Sequence, residues 1–320
     1  MTATERIPLA NTGDYRSQPG AAVSSRVDGI LNINKPAGMT SHDVVARVRR
    51  LTGQRKAGHA GTLDPMATGV LLLCLGQATR VAEYLVRGQK IYCATIHLGV
   101  ATDTYDAEGV ITREAPSLAL SQDQIERALD SLRCITEQVP PPYSAVHHGG
   151  YRLYQLARRG IAVQPAARPV TIEAIGLISW DSPLLSVEVR CSPGTYVRSL
   201  AHDLGQSLGV GGHLAALTRL CSGLWHVGGA ITLDELRVAV ESGNWTTLLH
   251  PLDAALQGFP RLDLPHDEAI RLAAGQMIHL QDAPDAPMAR AYAPDGTLRA
   301  LVQPSDREPG WWQPKKVFSL

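Results

Sequence analysis

Apolar residues recur along this chain with two periods, and the period assigns most of its elements. Ile30 to Asn34 alternates as a short strand and stops at the Lys35-Pro36-Ala37-Gly38 turn. Ser41 then caps a predicted helix with an apolar stripe at Val44, Val45, Val48 and Leu51, and with Arg47 and Arg50 turned to solvent. Val70 to Leu75 is the longest uninterrupted apolar run and predicts a buried strand. Lys90 to Leu98 alternates, which sets Tyr92, Ala94, Ile96 and Leu98 on one face. Ser121 and Gln124 make a capping-box pattern ahead of Ile125, Ala128, Leu129 and Leu132. Leu185, Val187, Val189 and Cys191 form another strand face. After the Pro193-Gly194 turn, Val197, Leu200, Ala201, Leu204 and Leu208 take helical spacing.

Strands and helices alternate without a repeat or a strict strand–helix–strand rhythm, so the pattern predicts an α+β fold, a mixed sheet with helices packed on it. Pro251, Pro260 and Pro265 mark a boundary. Beyond them a short helix, Asp267 to Ala274, stops at Gly275, and the strands Ala289–Ala293 and Thr297–Val302 are joined by an Asp295-Gly296 hairpin signal. This divides the chain into a larger unit over 29–255 and a small β-rich unit over 256–320. Met1 to Asp28 is polar and aperiodic and is expected to be a disordered extension.

At 320 residues and 44% apolar composition the chain is long enough for two domains with packed cores. Met1 to Gly20 lacks the apolar stretch of a secretory signal, and no apolar run approaches a membrane span, so a cytoplasmic location is expected. The five cysteines form no Cys-x-x-Cys pair, which supports neither a disulfide scaffold nor a cysteine zinc site. Thirty basic residues balance thirty acidic ones, but unevenly along the chain. Lys35, Arg47, Arg49, Arg50, Arg55 and Lys56 face only Asp43 between Gly29 and Ala60, whereas Ile231 to Leu320 holds twelve acidic against eight basic residues. A second basic stretch, Arg152, Arg158, Arg159 and Arg168, follows the prolines before Tyr143. Solvated helix faces and a nucleic-acid surface both account for such stretches.

The candidate chemistry centres on Asp64, placed by Pro65 between the glycines 58 and 61 on one side and Gly69 and the buried strand on the other. Such glycines leave room for another molecule to approach. The carboxylate either caps local amides or is a buried charge held ionised by a cation, and Arg198 at the start of the helix after Gly194-Thr195-Tyr196 is a candidate partner. Tyr92 is either a core tyrosine or a ring that stacks on a base. His59 and Lys35 carry weaker signals on their own. Phosphate-loop, serine-hydrolase and zinc-protease patterns are absent, and His147-His148 lacks ligand companions, so no metal site is expected.

Taken together, these segments resemble the TruB family of tRNA pseudouridine synthases. The resemblance is carried by Lys35-Pro36-Ala37-Gly38-Met39-Thr40-Ser41, by Gly58 to Leu71 around Asp64, by Lys90-Ile91-Tyr92, by Thr102 to Gly109, by Pro141 to Ala145 with Tyr154 and Ala157-Arg158, and by Cys191 to Arg198. It implies a pseudouridine synthase fold, a mixed and mostly antiparallel sheet with an RNA-gripping insertion near 135–168, and a PUA-like C-terminal domain. It also implies an isomerase that converts the T-loop uridine at position 55 of tRNA, with no cofactor and no guide RNA, acting as a monomer on the T-arm stem-loop. By correspondence Asp64 is the catalytic carboxylate, Arg198 its ion-pair partner and Tyr92 the ring on the uracil. Lys35 and His59 line the RNA path, and Asp106 and Tyr196 lie near the pocket. The chain departs from the family pattern at His147, where a lysine is usual, and in the acidity of its C-terminal region. Two rivals stand beside this reading: a non-catalytic tRNA-binding chaperone, and a nucleoside hydrolase using Asp64 with Asp106 as a carboxylate pair.

Overall fold

The computed structural model describes residues 26–144, 146–157, 159–161, 163, 165–280 and 282–319. The expected N-terminal extension lies outside these residues as far as position 25, and its last members are tied down. The Val27 amide donates to Gln54 Oε1 at 3.1 Å and Asp28 Oδ1 accepts from the Gln77 amide at 2.6 Å.

The central element is an eight-stranded sheet. Its first strands are β1 (Gly29–Lys35), β2 (Ala57–Ala60), β3 (Thr68–Leu75) and β4 (Lys90–Leu98). The main order runs β1, β3, strand Gly212–Ser222, β4, strand Leu184–Cys191, strand Ile172–Asp181. Every pairing is antiparallel except that of strand Gly212–Ser222 with β3. The mixed, mostly antiparallel α+β architecture is therefore the observed one.

β3 reads as a continuous apolar run because both its faces are covered. Leu71, Leu73 and Leu75 join a core with α1 (Ser41–Thr52) and α3 (Gln122–Arg133), whereas Val70, Leu72 and Cys74 join a second core. That second core takes in α2 (Ala82–Val86) and the C-terminal residues Leu298, Leu301 and Phe318. The alternation of β4 buries Tyr92, Ala94, Ile96 and Leu98 as the pattern predicted. A short α4 (Leu153–Ala157) lies in the insertion, and α5 (Val197–Ser207) packs Val197, Leu200, Ala201 and Leu204 into the first core.

One cap differs from expectation. Thr40, not Ser41, closes the N-terminus of α1: its hydroxyl accepts from the Asp43 amide while Asp43 accepts from the Thr40 amide at 2.9 Å. A reciprocal box needs an acid or amide at the third helical position, and only Thr40 has one, in Asp43.

The C-terminal region folds as a five-stranded sheet in the order Arg261–Asp263, Ala289–Tyr292, Leu298–Pro304, Trp311–Val317, Ile278–His279. The predicted hairpin is present, and the helix runs from His266 to Ala273. This sheet is fastened to the larger part of the chain by Phe318, by the Lys316–Glu83 ion pair at 2.7 Å and by Ser319 with Gln77. No helix among the described residues is long and apolar enough to cross a membrane.

Candidate active site

The site forms where β3 changes neighbours along one edge. β2 pairs with Leu72–Leu75, and strand Gly212–Ser222 pairs with Thr68 and Gly69. Between them the edge is open at Val70 and Leu71, and the chain from Gly61 to Ala67 crosses the opening. Arg219 closes it. Its Nε donates to Val70 O at 2.7 Å, its Nη2 to Gly61 O at 2.9 Å and its Nη1 to Thr62 O at 3.4 Å, so one guanidinium ties both flanks of the Asp64 loop. Arg219 is fully buried, and its planar fork suits several fixed carbonyls at once.

Gly69 makes that strand contact feasible. Its φ is +96°, and a Cβ there would lie 2.2 Å from Arg219 O. The space beside Gly69 is thus filled by the protein's own strand rather than left for another molecule, contrary to the sequence expectation. Gly58, by contrast, has nothing within 4 Å of its Cβ position.

The loop is gripped from three further directions. Ser41 Oγ donates to Leu63 O at 3.1 Å and accepts from Leu63 N at 2.9 Å, the use to which this buried serine is put in place of capping. The Gly38 amide donates to Pro65 O at 2.9 Å, and Lys35 Nζ donates to Pro65 O at 3.0 Å and Pro36 O at 2.8 Å. Burial pushes the Lys35 ammonium down to about 8, against the pull of the Asp64 charge.

Asp64 projects from this frame toward Arg198. Arg198 Nη2 donates to Asp64 Oδ1 at 3.2 Å, and Nε stands 2.9 Å from Oδ2, off the N–H axis, as an ion-pair contact. The same guanidinium gives Nη1 to Asp106 Oδ2 at 3.2 Å and to Thr104 O at 3.4 Å, and Nη2 to Tyr143 O at 3.0 Å. Arg198 is therefore no surface arginine: its side chain is 6% exposed. α5 carries it into the interior on its first turn, just beside the apolar stripe.

The two acids differ in access. Asp106 is 5% exposed, and its other oxygen accepts from Thr104 Oγ1 at 2.6 Å and from the Glu108 amide at 3.1 Å. Asp64 is 34% exposed, with most of its surroundings nonetheless protein. Desolvation pushes its carboxyl above the usual carboxylate value, opposed by Arg198 and Lys35 and reinforced by Asp106. The pair leaves one reachable, arginine-held oxygen pair in a water-poor setting.

The remaining predicted residues lie at graded distances from this centre. Tyr92 is 8% exposed on β4, opposite Arg219 in the strand register, and burial pushes its phenol up while the Arg219 charge opposes this. Tyr196 immediately precedes α5; its backbone amide donates to Gln138 Oε1 at 2.7 Å and its carbonyl accepts from Gln138 Nε2 at 3.0 Å. His59 sits on β2 rather than in a loop, its ring edge-on to His42 at 5.1 Å. Burial lowers its pKa, with further lowering by the charges of His42 and Arg219. Among the described residues it makes no hydrogen bond or ion pair with Asp64. His147 is exposed in a short hairpin with Arg152. Of the basic residues, Arg49 is occupied by Ala57 O, so not all of the N-terminal stretch is free for a ligand.

Sequence reasoning missed Arg219 and Gln138. Arg219 had a signal, because it shares the buried parity of its strand with Leu217 and Cys221, where a charge needs a reason. Gln138 had none.

The mixed sheet and its loop-borne carboxylate define a class, that of the pseudouridine synthases. A solved structure titled a Cbf5-Nop10-Gar1 complex superimposes with a TM-score of 0.68 at 25% identity, covering 91% of this chain and 85% of that one. The model of the TruB family pseudouridylate synthase N-terminal domain matches residues 49–197, that of the tRNA pseudouridylate synthase B C-terminal domain 198–257, and that of the tRNA pseudouridine synthase II C-terminal region 259–318. A tRNA pseudouridine synthase B of Dehalococcoides mccartyi is 44% identical over 91% of this chain and 97% of its own. One of Dechloromonas aromatica is 42% identical over 92% and 97%. The chain belongs to the TruB family of pseudouridine synthases.

Proposed function

We propose that this chain isomerises a T-loop uridine of tRNA, at position 55, to pseudouridine with Asp64 as the catalytic carboxylate. The observation that carries the reading is the contrast between Asp64, reachable and held by a buried arginine, and the enclosed, fully hydrogen-bonded Asp106. The reaction breaks the N1–C1′ bond, turns the uracil and forms C5–C1′. C5 gives up a proton and N1 gains one, so substrate and product have the same atoms. Both routes open to an ionised carboxylate, attack on the nucleotide and removal of a ribose proton, start from the same Asp64 oxygens. Arg198 keeps that charge in place, and partial exclusion of water strengthens its field.

The uridine must leave its stack to reach Asp64, and Tyr92 is the ring available to receive it. Lys35 and His59 lie along the RNA path in this reading, and Tyr196 borders the pocket. The catalytic part spans 29–255, with 135–168 as the RNA-gripping insertion and 256–320 as the C-terminal domain, and it acts as a monomer without a guide RNA. Fit to relatives named tRNA pseudouridine synthase B supports tRNA as substrate. The hydrolase alternative is disfavoured because Asp106 has no oxygen free to activate a water.

The test is to incubate the purified protein with a T-arm stem-loop transcript and map pseudouridine chemically. Conversion at a single T-loop position is expected. Release of free uracil would replace this reading with the hydrolase, and binding without conversion would replace it with the chaperone.

A further inference from the structure

Tyr105 is the only non-glycine residue with positive φ among the described residues, at +64°. A bulky side chain takes that backbone at a cost that glycine avoids, so its presence calls for a compensating contact. The contact is a stack. The Tyr105 ring lies on the His202 ring with centroids 3.8 Å apart and planes 16° from parallel.

The position of this stack gives it meaning. His202 stands one turn after Arg198 on α5, and Tyr105 lies between Thr104 and Asp106, the two loop residues that Arg198 Nη1 contacts, at 3.4 and 3.2 Å. Residues 104, 105 and 106 therefore each touch the same short stretch of α5. The loop backbone is held separately by the sheet: Leu214 N donates to Tyr105 O at 2.9 Å and Ala107 N to Leu214 O at 3.0 Å. Leu214 shares the first core with α5, so the sheet brings the loop up to that helix, and the Tyr105 ring adds a second side-chain contact beside those of Arg198. His202 Nδ1 is buried without a hydrogen-bond partner, so what holds the imidazole on that side is the ring contact rather than a hydrogen bond.

We propose that Tyr105 and His202 act as positioning residues, a ring clamp that sets the Asp106 loop against α5 so that Arg198 is aimed at Asp64. The clamp touches neither substrate nor reacting atoms in this account, and the inference rests on the reading of Asp64 and Arg198 given above. Loosening it should let the guanidinium drift toward other partners and misplace the Asp64 carboxylate. Misplacement of a reacting group lowers the rate of the chemical step and leaves substrate affinity alone.

The test uses the full chain and a T-arm stem-loop under single-turnover conditions, with wild-type conversion as the control for the underlying reading. If the wild type does not convert uridine, that reading fails first, and the clamp with it. Given wild-type conversion, His202→Ala should slow the chemical step by about tenfold with an unchanged half-saturation concentration. His202→Phe, which restores a flat ring, should return the rate to within about twofold of wild type. Tyr105→Leu should match His202→Ala, and the double variant should be no slower than either single one, because the two rings act as a unit. A wild-type rate for His202→Ala overturns the proposal. So does a His202→Phe variant as slow as the alanine, since a ring would then not be what matters. Thermal melting of each variant separates the clamp from general stability: a rate loss that tracks melting temperature across all of them, the phenylalanine included, also overturns it.

Discussion

Replacing Arg198 with methionine is the perturbation whose energetics follow most directly from the site. Among the described residues the guanidinium is the single cation in direct ion-pair contact with both Asp64 and Asp106, and its removal strands Asp106 in particular, whose side chain is 5% exposed. Breaking a buried pair by removing one partner costs about 3–5 kcal/mol. Two features favour the lower end: Asp64 is one-third open to solvent, and Asp106 keeps its bonds from Thr104 and Glu108. A loss of about 3 kcal/mol corresponds to a melting temperature lower by about 6–12 °C, at roughly 2–4 °C per kcal/mol for a domain of this size. The sign of its pH dependence is also set. Without the arginine the Asp64 carboxyl, already raised by desolvation, loses the charge that most opposes that rise and titrates higher in the folded state than in the unfolded one. Its part of the deficit is therefore present at neutral pH and shrinks as the pH falls and it takes up a proton. Differential scanning calorimetry of wild type and Arg198→Met at pH 7.5 and 5.0 reads both effects. Arg198→Met made in an Asp106→Asn background should cost less by about 1–2 kcal/mol. A melting shift under about 2 °C, a gap independent of pH, or full additivity with Asp106→Asn would refute the argument that this is one coupled, buried network.

Other expectations follow from the same geometry. Activity should fall on the acid side at a pH above the ordinary carboxylate range, because Asp64 is raised by desolvation and loses its charge as the pH drops through that value. The Lys35 charge, kept up to about pH 8, pulls that value down, so Lys35→Met should move the acid limb upward; an acid limb unchanged by that substitution would contradict the coupling. Gly69→Ala should cost about 3 kcal/mol or more, since a positive φ and a backbone clash at 2.2 Å coincide, whereas Gly58→Ala should stay within about 0.5 kcal/mol. Comparable melting temperatures for the two alanine variants would show that the strand contact yields easily. Binding of a T-arm stem-loop should weaken steadily as salt rises, because phosphate contacts release counterions, and a flat response measured by fluorescence anisotropy would remove the electrostatic part of the account.

Much of this was legible in the residues, for reasons that can be named. Local signals worked where one face of an element is buried and the other is not. The alternation of β4, the stripe of α5 and the Ser121–Gln124 box all reappear in the structure. Val70–Leu75 could be read as buried but not as buried on both faces, because part of the second cover comes from residues more than two hundred positions away. The Ser41 cap failed through a choice between adjacent hydroxyls that the Asp43 partner decides. At the site, Asp64 stood out by its address, but the burial of Arg198 was not visible. A first-turn helix residue beside an apolar stripe looks solvent-facing until the loop at 104–106 is folded over it. Arg219 was overlooked for a different reason: the sequence analysis assigns no strand over 212–222, so the charge had no apolar face to stand out from. Its role depends on an opening in the sheet that only topology creates.

The central claim is that one carboxylate, Asp64, does the chemistry and that the rest of the site serves to hold it. Asp64→Asn keeps the size of the side chain and removes its charge, while Arg198 retains Asp106, Thr104 and Tyr143 as partners. Chemical mapping of pseudouridine in a T-arm transcript, with stem-loop affinity measured on the same preparation, is the direct measurement. The account predicts no conversion by Asp64→Asn with affinity close to wild type. Conversion at a rate near that of the wild type would contradict it.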